Sequence, residues 1–434
     1  MIDLAIDAGW VLPMRPAGTV LHDHTVLVSK GRISAVRPTA ETLLLDVGER
    51  IDRRGHLLMP GLVNLHTHAA MTLMRGLADD LPLMRWLQEH IWPAEAAHVS
   101  PQFVADGTLL ACAEMLRGGI TCFNDMYFFP EATAQAALTS GMRASLGMIV
   151  LEFPTAYAAD PQDYLNKGMA MRDRLRGEPL LSFCFAPHAP YTVSDDTFVK
   201  VRTYARQLET PIHVHLHETA QEISDSERDH GVRPIARLDR LGLIGADTIA
   251  VHAVHLNEHD IDTLTRGGAH VAHCPTSNLK LASGFAPIAR LREAHVNVGI
   301  GTDSAASNNR LDLFAELRLA ALLAKGVSGS AEAVPAFEAL EMATLGGARA
   351  IGLDSAIGSL EPGKWADIIA VDFSVPELQP CHDPVSHLAY AAGREQVSDV
   401  WVAGERRLDQ RRLVRVDSDE LTARAADWRE RIAR

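Results

Sequence analysis

The spacing of apolar and polar positions changes twice along the chain. Residues 1–58 alternate in short runs broken by turn residues, and "VLVSKGRISAV" sets Lys30-Gly31 between two alternating segments, a hairpin pattern. From about residue 60, apolar runs of strand length are separated by longer segments of helical periodicity. Eight strands are predicted there: "LVNLHTH", "ITCFND", "ASLGMIV", "LSFCFAPH", "PIHVHLHE", "TIAVHAVH", "AHVAHC" and "VNVGIGTD". After about residue 357, "GSLEPGKWADIIAVD" and "VSDVWVAGERRL" return to alternation with Gly and Pro turns. The last 18 residues read as a charged, exposed helix.

Alternating strand and helix units predict an α/β fold, a (β/α)8 TIM barrel over residues 59–357. The flanking segments, 1–58 and 358–434, are expected to pair into a small β-sandwich-like domain. In "NNRLDLFAELRLAALLAKG", after the eighth strand, Asn308 or Asn309 is the expected helix N-cap and Asp312 suits the dipole. Leu313, Leu317, Ala320, Ala321 and Ala324 form its core stripe. The active site of such a barrel lies at the C-terminal ends of its strands.

Composition narrows the partners. The 434 residues are 47% hydrophobic and 22% charged, an ordinary soluble globular balance. A formal net charge of -14 argues against nucleic acid or an acidic membrane surface, and favours a small neutral or cationic substrate. The opening "MIDLAIDAGW" is acidic where a signal peptide is basic, and no apolar run reaches transmembrane length, so a cytoplasmic protein is expected. Cys112, Cys122, Cys184, Cys274 and Cys381 form no C-x-x-C pair and are expected as reduced core thiols.

Candidate chemistry starts at the first strand's end, where His66 and His68 are two residues apart and therefore share a face. A catalytic zinc site needs further N, O or S ligands and an open position. Three other strand ends offer them: "HVHLHE", "VHAVH" and "GIGTDS". His213, His215 and His217 share one face of the fifth strand, and spacing does not choose among them. Asp303 suits either a helix cap or a fourth ligand, and the pair on the first strand favours the ligand.

"PGLVNLHTH", "HVHLHETAQE", "AVHAVHL", "HCPTSNLKLASG" and "GTDSAASNN", in that order, resemble the amidohydrolase superfamily and, within it, the 5'-methylthioadenosine/S-adenosylhomocysteine deaminase branch. The resemblance covers essentially the whole chain, including "GLADDLPLMRWLQEHIWPAE". It implies His66, His68, His215 and Asp303 as ligands of one divalent metal ion, expected to be Zn2+; His215 is chosen because it precedes Glu218 by three residues. A bridging lysine, usual in binuclear members, is replaced by "APHAP" at the end of strand four. His213, His217 and His255 are left as structural or supporting residues.

The resemblance also implies hydrolytic deamination at C6 of adenine, with Glu218 protonating N1, Asp303 taking the water's proton and His252 orienting that water. Trp86 would flank the nucleoside, Glu95 would bind the ribose hydroxyls and His188 would approach purine and sugar. Ser304 departs from a position that is often glycine in the family. The P-C-x-x-C signature of the other zinc deaminases is absent.

The expected substrate is 5'-methylthioadenosine, and less well S-adenosylhomocysteine or adenosine. Residues 144–166 contain no Lys or Arg; they offer Met148, Phe153 and Tyr157 to an apolar tail and Glu152, Asp160 and Asp163 against a carboxylate. Rivals on the same apparatus are a guanine- or cytosine-type deaminase and a chloro-triazine hydrolase, and a non-catalytic metal-binding barrel is a remote third. A homo-oligomer, dimer or tetramer, is compatible with all of them.

Overall fold

The computed structural model describes residues 2–433. The chain opens with four strands, β1 (Ile2–Val11), β2 (Leu21–Ser29), β3 (Arg32–Pro38) and β4 (Val47–Pro60). Lys30 and Gly31 make the β2–β3 turn with positive φ, as the hairpin pattern requires. β4 runs straight into the barrel through Gly61, where a Cβ would lie 2.1 Å from Thr121 Oγ1, so no larger residue fits that junction.

Eight parallel strands follow in sequence order: β5 (Leu62–Thr67), β6 (Ile120–Asp125), β7 (Arg143–Val150), β8 (Leu181–Pro187), β9 (Ile212–Leu216), β10 (Thr248–His252), β11 (His270–His273) and β12 (Asn297–Ile300). They are the eight predicted from the apolar runs. β5, β6 and β7 are buried along their whole length, as a parallel sheet covered by helices demands. β12 returns beside β5. Asn64 ties the two ends together: its Nδ2 donates to Thr302 Oγ1 at 2.8 Å, and its Oδ1 accepts from Thr302 N–H at 2.9 Å.

The terminal segments meet in one eight-stranded sheet of order β16-β15-β14-β13-β4-β1-β2-β3, completed by β13 (Ile368–Asp372), β14 (Val397–Val402), β15 (Glu405–Asp409) and β16 (Arg412–Leu413). N- and C-terminal halves join where β4 and β13 pair antiparallel, Met59 opposite Ile369. β1 and β4 are parallel neighbours within this otherwise antiparallel sheet, a pairing that alternation alone does not reveal.

Two helices differ from expectation. The C-terminal helix Ser418–Ile432 is not simply exposed: Leu421 and Trp428 are buried, and Trp428 Nε1 donates to Asp106 Oδ2 at 3.0 Å beside the edge-on ring of Phe103. The helix Leu313–Ser328 is capped by Asp312, which accepts from Ala315 N–H, and not by Asn308 or Asn309. Asn308 is drawn away because its Nδ2 donates to Thr302 O and Glu316. The predicted stripe Leu313, Leu317, Ala320, Ala321 and Ala324 is buried. Among the described residues no helix is long and apolar enough to cross a membrane.

Candidate active site at the strand ends

The C-terminal ends of β5, β9, β10 and β12 converge on one point. His66 ends fully buried on β5, and His68 follows just beyond the strand. Asp125 at the end of β6 sets that loop, accepting from Thr67 Oγ1 at 2.9 Å and Ala69 N–H at 2.7 Å. Asp303 Oδ1 lies 3.3 Å from His66 Nε2 and 3.4 Å from His68 Nε2. His215 Nε2 is 3.3 Å from His66 Nε2. Two overlapping groups, His66/His68/Asp303 and His66/His215/His252, have ligand atoms within 4.8 Å of one another.

The far side of each ring explains why these atoms face inward. Nδ1 of His68 is 2.6 Å from Met126 O, Nδ1 of His215 is 2.8 Å from His188 O, and Nδ1 of His252 is 2.8 Å from Asn278 Oδ1. An oxygen acceptor at Nδ1 takes the ring proton there and leaves Nε2 as a bare lone pair. His66 Nδ1 meets His213 Nε2 at 3.0 Å. Burial pushes His66 down to about 4 and His215 well below the ordinary histidine range, so both rings stay neutral. On Asp303, burial works upward, but the His66 hydrogen bond and the electrostatic influence of the His66, His68 and His252 rings hold the carboxyl well below the usual carboxylate range. Its other oxygen, Oδ2, accepts from Ser277 Oγ at 2.6 Å and Ser307 Oγ at 2.9 Å. Asp303 is not a helix cap, since the following residues form turns.

Backbone strain concentrates at the same rim. His217, His252, Ala253 and Asp303 all have φ between 49° and 72°, a region costing a non-glycine residue roughly 1–3 kcal/mol. Such residues persist where the surroundings dictate them, typically at working sites.

A cavity of about 490 Å³ opens above the cluster. It is within the usual range of small-molecule sites. Glu218 reaches it from the loop after β9; burial, reinforced by the Asp303 charge, pushes its carboxyl up to about 8. Its Oε2 is 3.6 Å from His252 Nε2. Glu95 lies across the cavity, accepts from Tyr127 Oη at 2.7 Å and is pushed by burial up to about 7. Trp86 and His188 also line it, and His188 Nδ1 is 2.9 Å from Thr192 Oγ1. Among the described residues, none that lines it is Lys or Arg.

The amidohydrolase family model matches residues 57–407, which spans the barrel and the strands that flank it. This chain belongs to the amidohydrolase family. A Teredinibacter turnerae protein named 5-methylthioadenosine/S-adenosylhomocysteine deaminase is 50% identical over 99% of this chain and 98% of its own length. A Methanosarcina mazei protein named 5'-deoxyadenosine deaminase is 41% identical over 98% of this chain and 97% of its own. Among solved structures, a Xanthomonas campestris adenosine deaminase with bound zinc is 53% identical, with a TM-score of 0.98 over 100% of this chain and 99% of that one. Zinc is therefore bound by a close structural relative whose fold this amidohydrolase shares.

Of the residues singled out in the sequence of this amidohydrolase, His66, His68, His215, His252, Asp303 and Glu218 come together, and Trp86, Glu95 and His188 line the same cavity. Met148 does not. Its side chain packs outward, against the helix Pro161–Leu175, where a Cβ on Gly168 would lie 2.8 Å from Met148 Cβ. Strand alternation puts its neighbour Ile149 on the cavity instead. Of the other tail candidates, Phe153 lines the cavity, while Tyr157 is buried against Phe129 and Tyr164. Ser304 keeps a negative φ and its Oγ accepts from Ser307 N–H at 3.0 Å, so the departure from glycine brings no strain.

His217 turns away from the site: its Nε2 accepts from Ile235 N–H at 3.0 Å. Glu222 is a supporting residue that the sequence reading missed. Its carboxylate accepts from His217 N–H at 2.9 Å and Glu218 N–H at 2.8 Å, which sets the backbone that carries Glu218. The capping-box pattern "TAQE", Thr219 to Glu222, was the available signal.

Proposed function

We propose that the chain is a metal-dependent hydrolytic deaminase that converts adenine nucleosides of the 5'-methylthioadenosine type to the inosine-type product and ammonia. The observation that carries this reading is the outward tethering of each imidazole Nδ1, which leaves Nε2 of His66 and His68 facing Asp303 Oδ1 and Nε2 of His215 facing Nε2 of His66. Three neutral nitrogens and one carboxylate oxygen suit a single zinc ion with an open position. The names of the relatives and the zinc in the Xanthomonas structure agree with it. When bound, a divalent ion acts as a Lewis acid that brings the pKa of water from 15.7 to about 7.

The residues supply the rest. His252 Nε2 orients the attacking water, and Asp303 takes its proton. Glu218, kept protonated by burial to about pH 8, gives a proton to N1 of the adenine as charge develops there. Glu95 accepts from the ribose hydroxyls, Trp86 covers the base and His188 approaches the sugar edge. The 5' tail lies along a wall without a cation: Arg143 is engaged with Asp367, and Lys167 with Tyr157 O and Asp163. This favours 5'-methylthioadenosine over S-adenosylhomocysteine, whose carboxylate finds no partner. Five unpaired cysteines suit a cytoplasmic setting.

The test is ammonia release from a panel of adenine nucleosides, guanine and cytosine, and chloride release from chloro-triazines, by zinc-loaded protein, beside a His66→Ala/His68→Ala variant. Adenine nucleosides are expected to react, and the variant to lose zinc and activity together. Stoichiometric zinc in the double variant, or preference for another ring, would sink the reading.

A further inference from the structure

Asn278, one residue removed from the cavity, faces His252 with its amide oxygen, 2.8 Å from Nδ1. It is 1% exposed, and its Nδ2 has no hydrogen-bond partner among the described residues. His273, the last residue of β11, is 3% exposed, and neither of its ring nitrogens has a partner among the described residues. Both residues line a small cavity of about 10 Å³, together with Pro275, Gly284, Phe285 and Ile288. That is room for about one water molecule. Buried amides and imidazoles are almost always hydrogen-bonded, to protein or to ordered water.

We propose that one buried water fills this cavity, accepting from Asn278 Nδ2–H and donating to a ring nitrogen of His273, and that Asn278 is thereby a positioning residue that sets the tautomer of His252. An asparagine amide carries its acceptor and its donors on opposite sides. With the donors held by the water, the oxygen must face His252 and accept from Nδ1–H. Nε2 of His252 is then unprotonated toward the reacting centre. A reversed amide would donate to Nδ1 and place the ring proton on Nε2, where it would point at the ligand cluster. Burial pushes His273 down to about 3, so the ring is neutral and keeps one nitrogen free to accept. The consequence for turnover rests on the deaminase reading above; the water and the tautomer do not.

A high-resolution crystal structure of the zinc-loaded protein is expected to show a water within hydrogen-bond distance of both Asn278 and His273; a dry cavity would overturn the inference. Solution NMR of 15N-histidine-labelled protein, with a His252→Gln variant to assign the signal, should show His252 protonated at Nδ1, and protonation at Nε2 would overturn it. Both measurements need no substrate, so they decide the matter even if no adenine nucleoside reacts, an outcome that fails the deaminase reading alone. In the active enzyme, Asn278→Leu should lower kcat roughly 10- to 100-fold with KM and zinc content unchanged. Asn278→Asp, which keeps an oxygen in place, should recover most of that loss, and His273→Phe should lower kcat by less than Asn278→Leu. Wild-type kcat in Asn278→Leu, or equal impairment in the Leu and Asp variants, would refute the positioning role.

Discussion

Nδ1 of His66 lies 3.0 Å from Nε2 of His213, so a ring outside the cavity holds the ring at the centre of the donor cluster. His213 is fully buried, and His66 has no other partner for that nitrogen among the hydrogen bonds of the described residues. Partners at this remove commonly change metal affinity 10- to 100-fold. His213→Phe should therefore bind zinc roughly 10- to 100-fold more weakly, read by competition with a chelator, and should regain turnover in excess zinc. Unchanged zinc affinity would show that His213 only fills space.

Glu218 follows the cluster without joining it, and its Oε2 is directed toward His252 rather than His66. Glu218→Gln keeps the shape and removes the transferable proton. Turnover should fall by about 10² to 10⁴ while zinc content and substrate affinity hold, measured by single-turnover kinetics and equilibrium binding. Near-normal turnover would end the proton-transfer role.

The Glu95 carboxyl, pushed by burial up to about 7, is ionised only above that pH. In the proposed complex the ionised form would accept hydrogen bonds from both ribose hydroxyls, and the protonated form fewer. For 5'-methylthioadenosine, kcat/KM should thus fall as pH drops through about 7, and Glu95→Gln should flatten that acid limb at a lower plateau. A limb of the same midpoint in the variant would assign it to another group.

The cation-free wall predicts discrimination at the 5' tail. An unpaired carboxylate drawn partly out of water costs on the order of 1 to 3 kcal/mol, so kcat/KM should favour 5'-methylthioadenosine over S-adenosylhomocysteine by about fivefold to 150-fold at low salt. Phe153, half-exposed at the cavity's edge, is the place to reverse it: Phe153→Arg should narrow the ratio by helping the charged tail. Equal values for the two nucleosides in the unmodified enzyme would remove the wall from the account of specificity.

The sequence by itself determined the eight strands, their order and the ligand-type residues at their ends, because strand periodicity and spacings such as His66-x-His68 are local properties of the chain. It did not separate His213, His215 and His217. Two-residue periodicity puts them on one face, yet His215 reaches the cluster, His213 stands beside His66, and positive φ at His217 turns its ring to Ile235. The same ambiguity misplaced Met148, since alternation tells which residues share a face but not which face the barrel encloses. Only the tertiary structure decided the supports: Glu222 under Glu218, Ser277 and Ser307 on Asp303, and Asn278 on His252. Tertiary packing likewise docked the charged C-terminal helix through Trp428 onto Asp106, more than three hundred residues earlier. A hydrogen bond between distant segments has no sequence period to betray it, and it exists only once the closed barrel brings donor and acceptor within about 3 Å of each other.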